Sequence, residues 1–233
     1  AGGTRKETVV DTFERGGNIV GFPKGRLVMD RSGNLYGTTW DTGGHVSGVL
    51  FEIVAGTHEP EVLHMFAGSP DGGTPNGNLV IDSRGDLFGT THWGGGFCYI
   101  GSIDAMGCGT VFEIHAGTHK ETILYRFQGG SDGMEPRGGL VMDNSGDLYG
   151  TTYSGGLNCR FGCGTVFEIA AGNHKESVLY RFRGGQDGSS PEGELFMDSA
   201  GNLYGTTFGG GTDCGRATEL GPGCGTAFEI IRN

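Results

Sequence analysis

The sequence predicts an all-β protein, a four-bladed β-propeller with four antiparallel strands in each blade. Three observations carry this expectation. A Gly-Thr-Thr triplet recurs at Gly37, Gly89, Gly150 and Gly205, spaced by 52, 61 and 55 residues, and similar sequence surrounds every copy. Each copy resolves into four short runs of β-branched and aromatic residues bounded by Gly, Asn, Asp or Ser, with no helix-period segment between them. The segment at 6–13 looks like the fourth run of a unit, whereas the last unit stops after its third.

Within the first unit, the opening run Leu-Val-Met ends at Asp30, and an Asp-Arg-Ser-Gly-Asn turn leads to the second run, Leu35–Thr39. The equivalent turns end at Asp86, Asp147 and Asn202. Asp accepts bonds from the backbone ahead of it and Gly takes positive φ, so each turn reads as a tight hairpin. A variable loop precedes the third run, Phe51-Glu52-Ile53, and an Ala-Gly-Thr-His turn at His58 leads to the fourth, which ends at Phe66. Four-stranded repeats of this size match propeller blades, whereas a linear solenoid would need polar caps. A single domain is expected over 1–233, with repeats at about 14–66, 67–127, 128–182 and 183–231. The strand at 6–13 is expected to complete the last blade, residues 8–13 pairing with 227–231 so that neither edge is left open.

Fifty glycines, about three times the usual share, show no Gly-X-Y period and read as turn material. A net charge of −11 and a pI near 5.0 repel phosphate backbones and argue against nucleic acid or an anionic membrane surface as partner. No apolar run approaches the roughly 18 residues of a membrane-spanning helix. Six cysteines fall in three local pairs, Cys98 with Cys108, Cys159 with Cys163 and Cys214 with Cys224, which suits disulfides in an oxidising compartment. Secretion or a cell-surface location is expected.

Leu-Tyr-Gly-Thr-Thr at 148–152, Gly-Thr-Val-Phe-Glu-Ile at 164–169 and Val-Leu-Tyr-Arg-Phe at 178–182 are the signature of the repeat. On these motifs the chain resembles, over essentially its whole length, the bacterial GloVer tandem-repeat family, extracellular repeat proteins with a variable choice of surface anchor. The resemblance implies an extracellular, propeller-like repeat and supplies no catalytic residue. The family's anchoring tail is not among these 233 residues.

Internal pseudo-symmetry sorts the polar residues. Asp30, Asp82, Asp143 and Asp198, with Glu52, Glu113, Glu168 and Glu229, occur in every unit and read as hydrogen-bonding scaffold, as do the turn residues His58, His119 and His174. Asp71, Asp132 and Asp187 read as turn formers. Positions that differ between units can carry a site without four-fold symmetry. These are the second-to-third loops and the crossovers between units, which antiparallel connectivity puts on one face, called here the top. The residues following the triplets, Trp40, His92 with Trp93, Tyr153 and Phe208, gather there, and Tyr99, Arg160 and Phe161 lie in the cysteine-bearing loops. Aromatic bodies with polar rims suit stacking on sugar rings, although such residues also serve as packing between blades.

No hydrolase elbow, zinc-protease helix, phosphate loop or dinucleotide fingerprint occurs. No cofactor is implied and no metal-ligand set is legible; a structural ion in the axial channel is compatible with the ring, but no residue reports on it. The expected function is therefore a secreted or surface-associated module that recognises carbohydrate through the top face. Two alternatives stay open. One is a polysaccharide-cleaving hydrolase or lyase, using two of Asp41, Asp71, Asp104, Asp132, Glu135, Asp187, Glu192, Asp213 and Glu219, or His45 with Arg160 and Arg216. The other is a structural subunit of an extracellular assembly.

Overall fold

The computed structural model describes residues 7–10, 12–13, 21–40, 47–96, 98, 107–156, 159, 162–211, 217–218 and 221–232. Four antiparallel sheets are arranged as a four-bladed propeller. Blade 1 comprises Pro23–Met29, Leu35–Thr39, Val49–Ile53 and Pro60–Met65, side by side in chain order. Blade 2 holds Leu87–Trp93, Thr110–Ile114 and Glu121–Arg126, and its inner strand is split into Gly73–Pro75 and Val80–Ile81. Blade 3 is built from Val141–Met142, Leu148–Thr152, Thr165–Ile169 and Glu176–Arg181. Blade 4 contains Phe196–Met197, Leu203–Thr206 and Ala227–Ile230.

The register explains the triplet that marks each repeat. Gly37, Gly89, Gly150 and Gly205 stand opposite Phe51, Phe112, Phe167 and Phe228. A Cβ on these glycines would lie 2.7, 2.6, 2.5 and 2.4 Å from the Phe Cζ, so any larger residue would displace the ring. The second Thr of the triplet ties the top of the sheet: Thr91, Thr152 and Thr207 each hold Oγ1 2.8 Å from the Oγ1 of Thr110, Thr165 or Thr226.

At the opposite end, the hairpin aspartates behave as the sequence predicts. Asp30 Oδ1 accepts from the amides of Ser32 and Asn34 at 2.8 and 2.9 Å, and the bonds recur at Asp82, Asp143 and Asp198. The repeated Glu completes a second bridge. The hydroxyl of Tyr36 lies 3.1 Å from Asp30 and 3.0 Å from Glu52, and that of Tyr149 lies 3.0 Å from both Asp143 and Glu168. Burial, reinforced by these carboxylates, keeps both phenols protonated well above the usual tyrosine range. His58, His119 and His174 take left-handed φ of 60, 52 and 53°, with their amides bonded back to Val54, His115 and Ala170, a turn role.

The blades are joined by outer-strand phenylalanines. Phe66, Phe127 and Phe182 are fully buried and meet Phe112, Phe167 and Phe228 of the next blade with ring centroids 5.0 Å apart. Leu79, Leu140 and Leu195 close over them from the neighbouring inner strands. Around the axis, Glu194 of blade 4 accepts from Arg26 of blade 1 at 2.9 Å and from Asn78 of blade 2 at 2.7 Å. These residues hold the same position in their repeats.

The closing strand expected at 6–13 is not found among the described residues. Residues 7–10, 12 and 13 lie outside any strand, residues 6 and 11 fall outside the described set, and blade 4 keeps three strands. Half of the expected junction is nonetheless made, because the Phe13 ring meets Phe51 at 5.2 Å in the manner of the other three pairs. The side chains account for the missing half. Blade 4 presents Ala227 where the other blades bury Leu50, Val111 and Val166 completely, and Val9, which in the register of the other blades would pair with Phe228, is 68% exposed. A methyl group offers too little apolar area to hold a ladder that must form between chain segments so distant in sequence.

Truncating Phe127, which is buried between two complete blades, should cost about 3–5 kcal/mol. Phe13→Ala should cost less than half as much, because its seam is only partly packed. Urea denaturation of the two variants measures the difference.

Candidate functional site

Crossover loops place the site residues on the top face. Thr74, Glu135 and Ser190 sit at one position of successive crossovers with φ of 52, 57 and 55°, a costly conformation for residues other than glycine. The Glu135 and Ser190 carbonyls accept from the amides of Tyr153 and Phe208 at 3.0 and 3.1 Å, and Phe22 does the same for Trp40 at 2.8 Å. The crossovers thereby fix the residue after each triplet, and the remaining residues of each crossover run inward to the axis.

A depression of about 530 Å³ opens there. Trp40, His92 and Trp93 form part of its wall. The rest comes from Lys24, Asn76, Arg137 and Glu192, one residue from each blade at the same repeat position, together with no second copy of any of them. His92 and Trp93 pack edge to face at 4.2 Å, and Lys24 Nζ lies 5.7 Å from the Trp40 ring. Arg137 forks between Glu192 at 2.8 Å and Glu135 at 3.2 Å while its guanidinium stacks on Tyr153 at 3.6 Å. Burial raises the Glu135 carboxyl above its ordinary range, against the pull of Arg137. Two polar atoms in this region, His92 Nδ1 and Arg137 Nε, are buried without a partner. Burial, then the Arg137 charge, lowers His92 to about 4, so its ring is neutral at physiological pH.

A larger hollow of about 1020 Å³ opens at the opposite end, among the hairpin turns of blades 2 and 3. Its polar groups are already engaged with one another: Arg84 Nε is 2.9 Å from both Asp82 and Asp86, and Asp143 accepts from Tyr149. The top depression differs in having unlike side chains at equivalent positions and unsatisfied atoms, which are the features of a place built to receive something.

Of the site residues expected from the sequence, Trp40, His92 and Trp93 come together in the depression. Tyr153 stands behind it and supports Arg137. Phe208, 55% exposed, does not line it. Tyr99, Arg160 and Phe161 lie outside the described residues, as do Asp41, His45, Asp104, Asp213, Arg216 and Glu219. Sequence reasoning missed Lys24, Asn76 and Arg137. The signal was present, because the residue before each inner-strand Gly reads Lys, Asn, Arg, Glu from unit to unit. Two disulfides, Cys98–Cys108 and Cys159–Cys163, brace the top loops, with Cα–Cα distances of 5.0 and 5.4 Å. Cys224 is also disulfide-bonded, and its expected partner Cys214 lies outside the described residues. The disulfides fit an extracellular setting, and no helix among the described residues is long and apolar enough to cross a membrane.

Fold and site together define a repeat propeller with an asymmetric depression at the top of its axis. The chain belongs to the Gloeobacter/Verrucomicrobia repeat family, whose model matches residues 2–215. Among solved structures it is similar to a chain of the nidogen/laminin complex, at 17% identity and a TM-score of 0.54, over 80% of this chain and 57% of that one. A protein of unknown function from Dyadobacter fermentans matches at 11% identity and a TM-score of 0.50, over 80% and 61% of the two chains. A gluconolactonase from Xanthomonas campestris matches at 15% identity and a TM-score of 0.49, over 78% and 55%. The chain therefore spans less than two thirds of the length of these structures, and at such identities the likeness is one of fold alone. No curated protein matches the chain.

Because His92 titrates lower when folded than the roughly 6.5 of an unfolded chain, its contribution to stability is complete above that pH and is lost as pH falls toward 4. Thermal melts at pH 7 and pH 5 should therefore differ less for His92→Phe than for the native chain.

Proposed function

We propose that this protein is a secreted or surface-associated recognition module that binds carbohydrate in the top axial depression. The observation that carries the reading is the lining itself: two tryptophans beside four blade-equivalent positions that hold four different polar side chains. Trp40 and Trp93 offer flat apolar faces to a pyranose ring, and Lys24, Asn76, Arg137 and the neutral His92 offer donors and an acceptor to its hydroxyls or carboxylates. Trp40 is 39% exposed and so remains available. Bracing of the top loops by disulfides lowers the ordering entropy that binding would cost. It also supports a location outside the reducing cytosol.

The polysaccharide-cleaving alternative has one specific observation in its favour, two carboxylates brought to the same guanidinium, with Glu135 the better held proton donor. Arg137 already engages both, and this favours recognition over cleavage.

A glycan array probed with the native protein and with a Trp40→Ala, Trp93→Ala double variant tests the proposal. At least a tenfold loss of binding in the variant is expected. Failure of the native protein to retain any glycan, or equal retention by the variant, removes the reading, and new reducing ends in a polysaccharide digest would replace it with catalysis.

A further inference from the structure

Outer-strand chemistry repeats from blade to blade like the scaffold, with one exception. Position 125 in blade 2 and position 180 in blade 3 are tyrosines, and each hydroxyl donates to the aspartate of the following crossover turn, Tyr125 to Asp132 at 2.6 Å and Tyr180 to Asp187. The other oxygen of each aspartate caps the turn by accepting an amide, from Gln128 and Arg183. In blade 1 the turn is the same, with Asp71 accepting from the Ala67 amide at 2.9 Å, but the outer-strand residue is His64.

The histidine does not replace the tyrosine's bond. His64 Nε2 lies 3.7 Å from Asp71 Oδ2 and 3.7 Å from Glu121 Oε2, beyond hydrogen-bond distance of either, and it is buried without a partner. Glu121 opens the outer strand of blade 2. Its side chain is only 9% exposed, and its Oε1 is also buried and unpartnered. One imidazole nitrogen and two carboxylates, with ligand atoms all within 4.8 Å of one another, thus converge from two blades around a point where no proton is shared with His64. The neighbouring guanidinium of Arg126 is directed to the Pro70 carbonyl at 3.4 Å.

We propose that His64, Asp71 and Glu121 bind a divalent transition-metal ion of the zinc class, clamping the outer rim of blades 1 and 2. The donor set is one such ions accept, imidazole nitrogen with carboxylate oxygen, leaving a fourth position for water. With ligand bonds of about 2.0–2.2 Å, donors 3.7 Å apart subtend an angle of about 120° at the metal, so the side chains need little rearrangement. Hard cations such as calcium, which take only oxygen ligands, fit poorly.

A second cluster marks the contrast. Asp86, Glu113 and His115 also lie within reach of one another, but Arg84 bonds Asp86 and Asp82 at 2.9 Å and approaches Glu113 at 3.9 Å, so a cation already neutralises that group. At the rim of blades 1 and 2 the Arg126 charge acts on Glu121 from a distance while its guanidinium bonds the Pro70 carbonyl, and a bound metal would supply the direct contact.

The test uses tag-free full-length chain stripped with chelator and titrated with zinc by calorimetry and thermal melting. One ion per chain and an upward shift of the melting temperature are expected. His64→Tyr restores the residue that the next two blades use, so it should fold, and it should weaken zinc binding at least tenfold and abolish the shift. Glu121→Gln keeps the shape and should weaken binding by a similar factor. The absence of zinc binding to the native chain, or binding that survives both substitutions, overturns the proposal.

Discussion

Everything in this fold depends on a phenylalanine that leaves its own blade. Phe66, Phe127 and Phe182 end their outer strands and are buried against the third-strand Phe of the following blade. The partner ring can lie flat across the sheet only because glycine stands opposite it on the second strand. Remove that glycine and the ring must move, and with it the surface that the next blade packs on. Full burial of each ring contributes on the order of 2–3 kcal/mol, and the three junctions lock blade order and spacing together. The axial depression exists because this spacing brings four crossovers to one point.

Symmetry of the core leaves the rim free to vary. Once Gly, Phe, Thr and the Asp–Tyr–Glu bridge have fixed each blade, the crossover positions that face the axis are free to differ, while others such as Met134 and Ser190 stay buried. Lys24, Asn76, Arg137 and Glu192 share one repeat position and yet differ in charge and shape, two cations, an amide and a carboxylate. Four independent residues delivered to a single point form an asymmetric surface on a symmetric frame, which a ligand without four-fold symmetry requires.

How much of this was legible follows from where the information sits. Strand order, the hairpin role of Asp30 and its equivalents, and the scaffold role of Glu52 and its equivalents were readable because local turn chemistry and repetition determine them. Trp40, His92 and Trp93 were readable because they adjoin the triplet. Lys24 and Arg137 were not singled out, although they lie in the variable crossover segments, because aromatics and carboxylates were weighed there and the basic residues of the crossovers were not. The segment at 6–13 matches the pattern of an outer strand, and Phe13 makes the seam with Phe51 that the pattern implies, while the described residues 7–10, 12 and 13 show no ladder to blade 4, a long-range pairing that a pattern match does not weigh. His64 was invisible for a different reason. Its partners Asp71 and Glu121 lie 7 and 57 residues away, and only the packing of two blades brings them together.

Comparison of one repeat with another separates compensated changes from uncompensated ones. Blade 2 has Phe88 where blades 1, 3 and 4 have Tyr36, Tyr149 and Tyr204, and so it lacks the hydroxyl that bridges the hairpin Asp to the third-strand Glu. The same repeat supplies Arg84 in the turn, which reaches Asp82, Asp86 and Glu113 in its place. A lost donor has been replaced within the blade, and the bridge keeps its structural purpose. At His64 the donor is lost in the same way, yet nothing in the repeat replaces it, and two buried atoms remain without partners. Buried polar groups left in that condition cost about 1–3 kcal/mol each. The equivalent of Glu121 in blade 3, Glu176, also leaves its Oε1 buried and unpartnered, so what is particular to the rim of blades 1 and 2 is the imidazole nitrogen of His64, which an ion bound from outside the chain would satisfy.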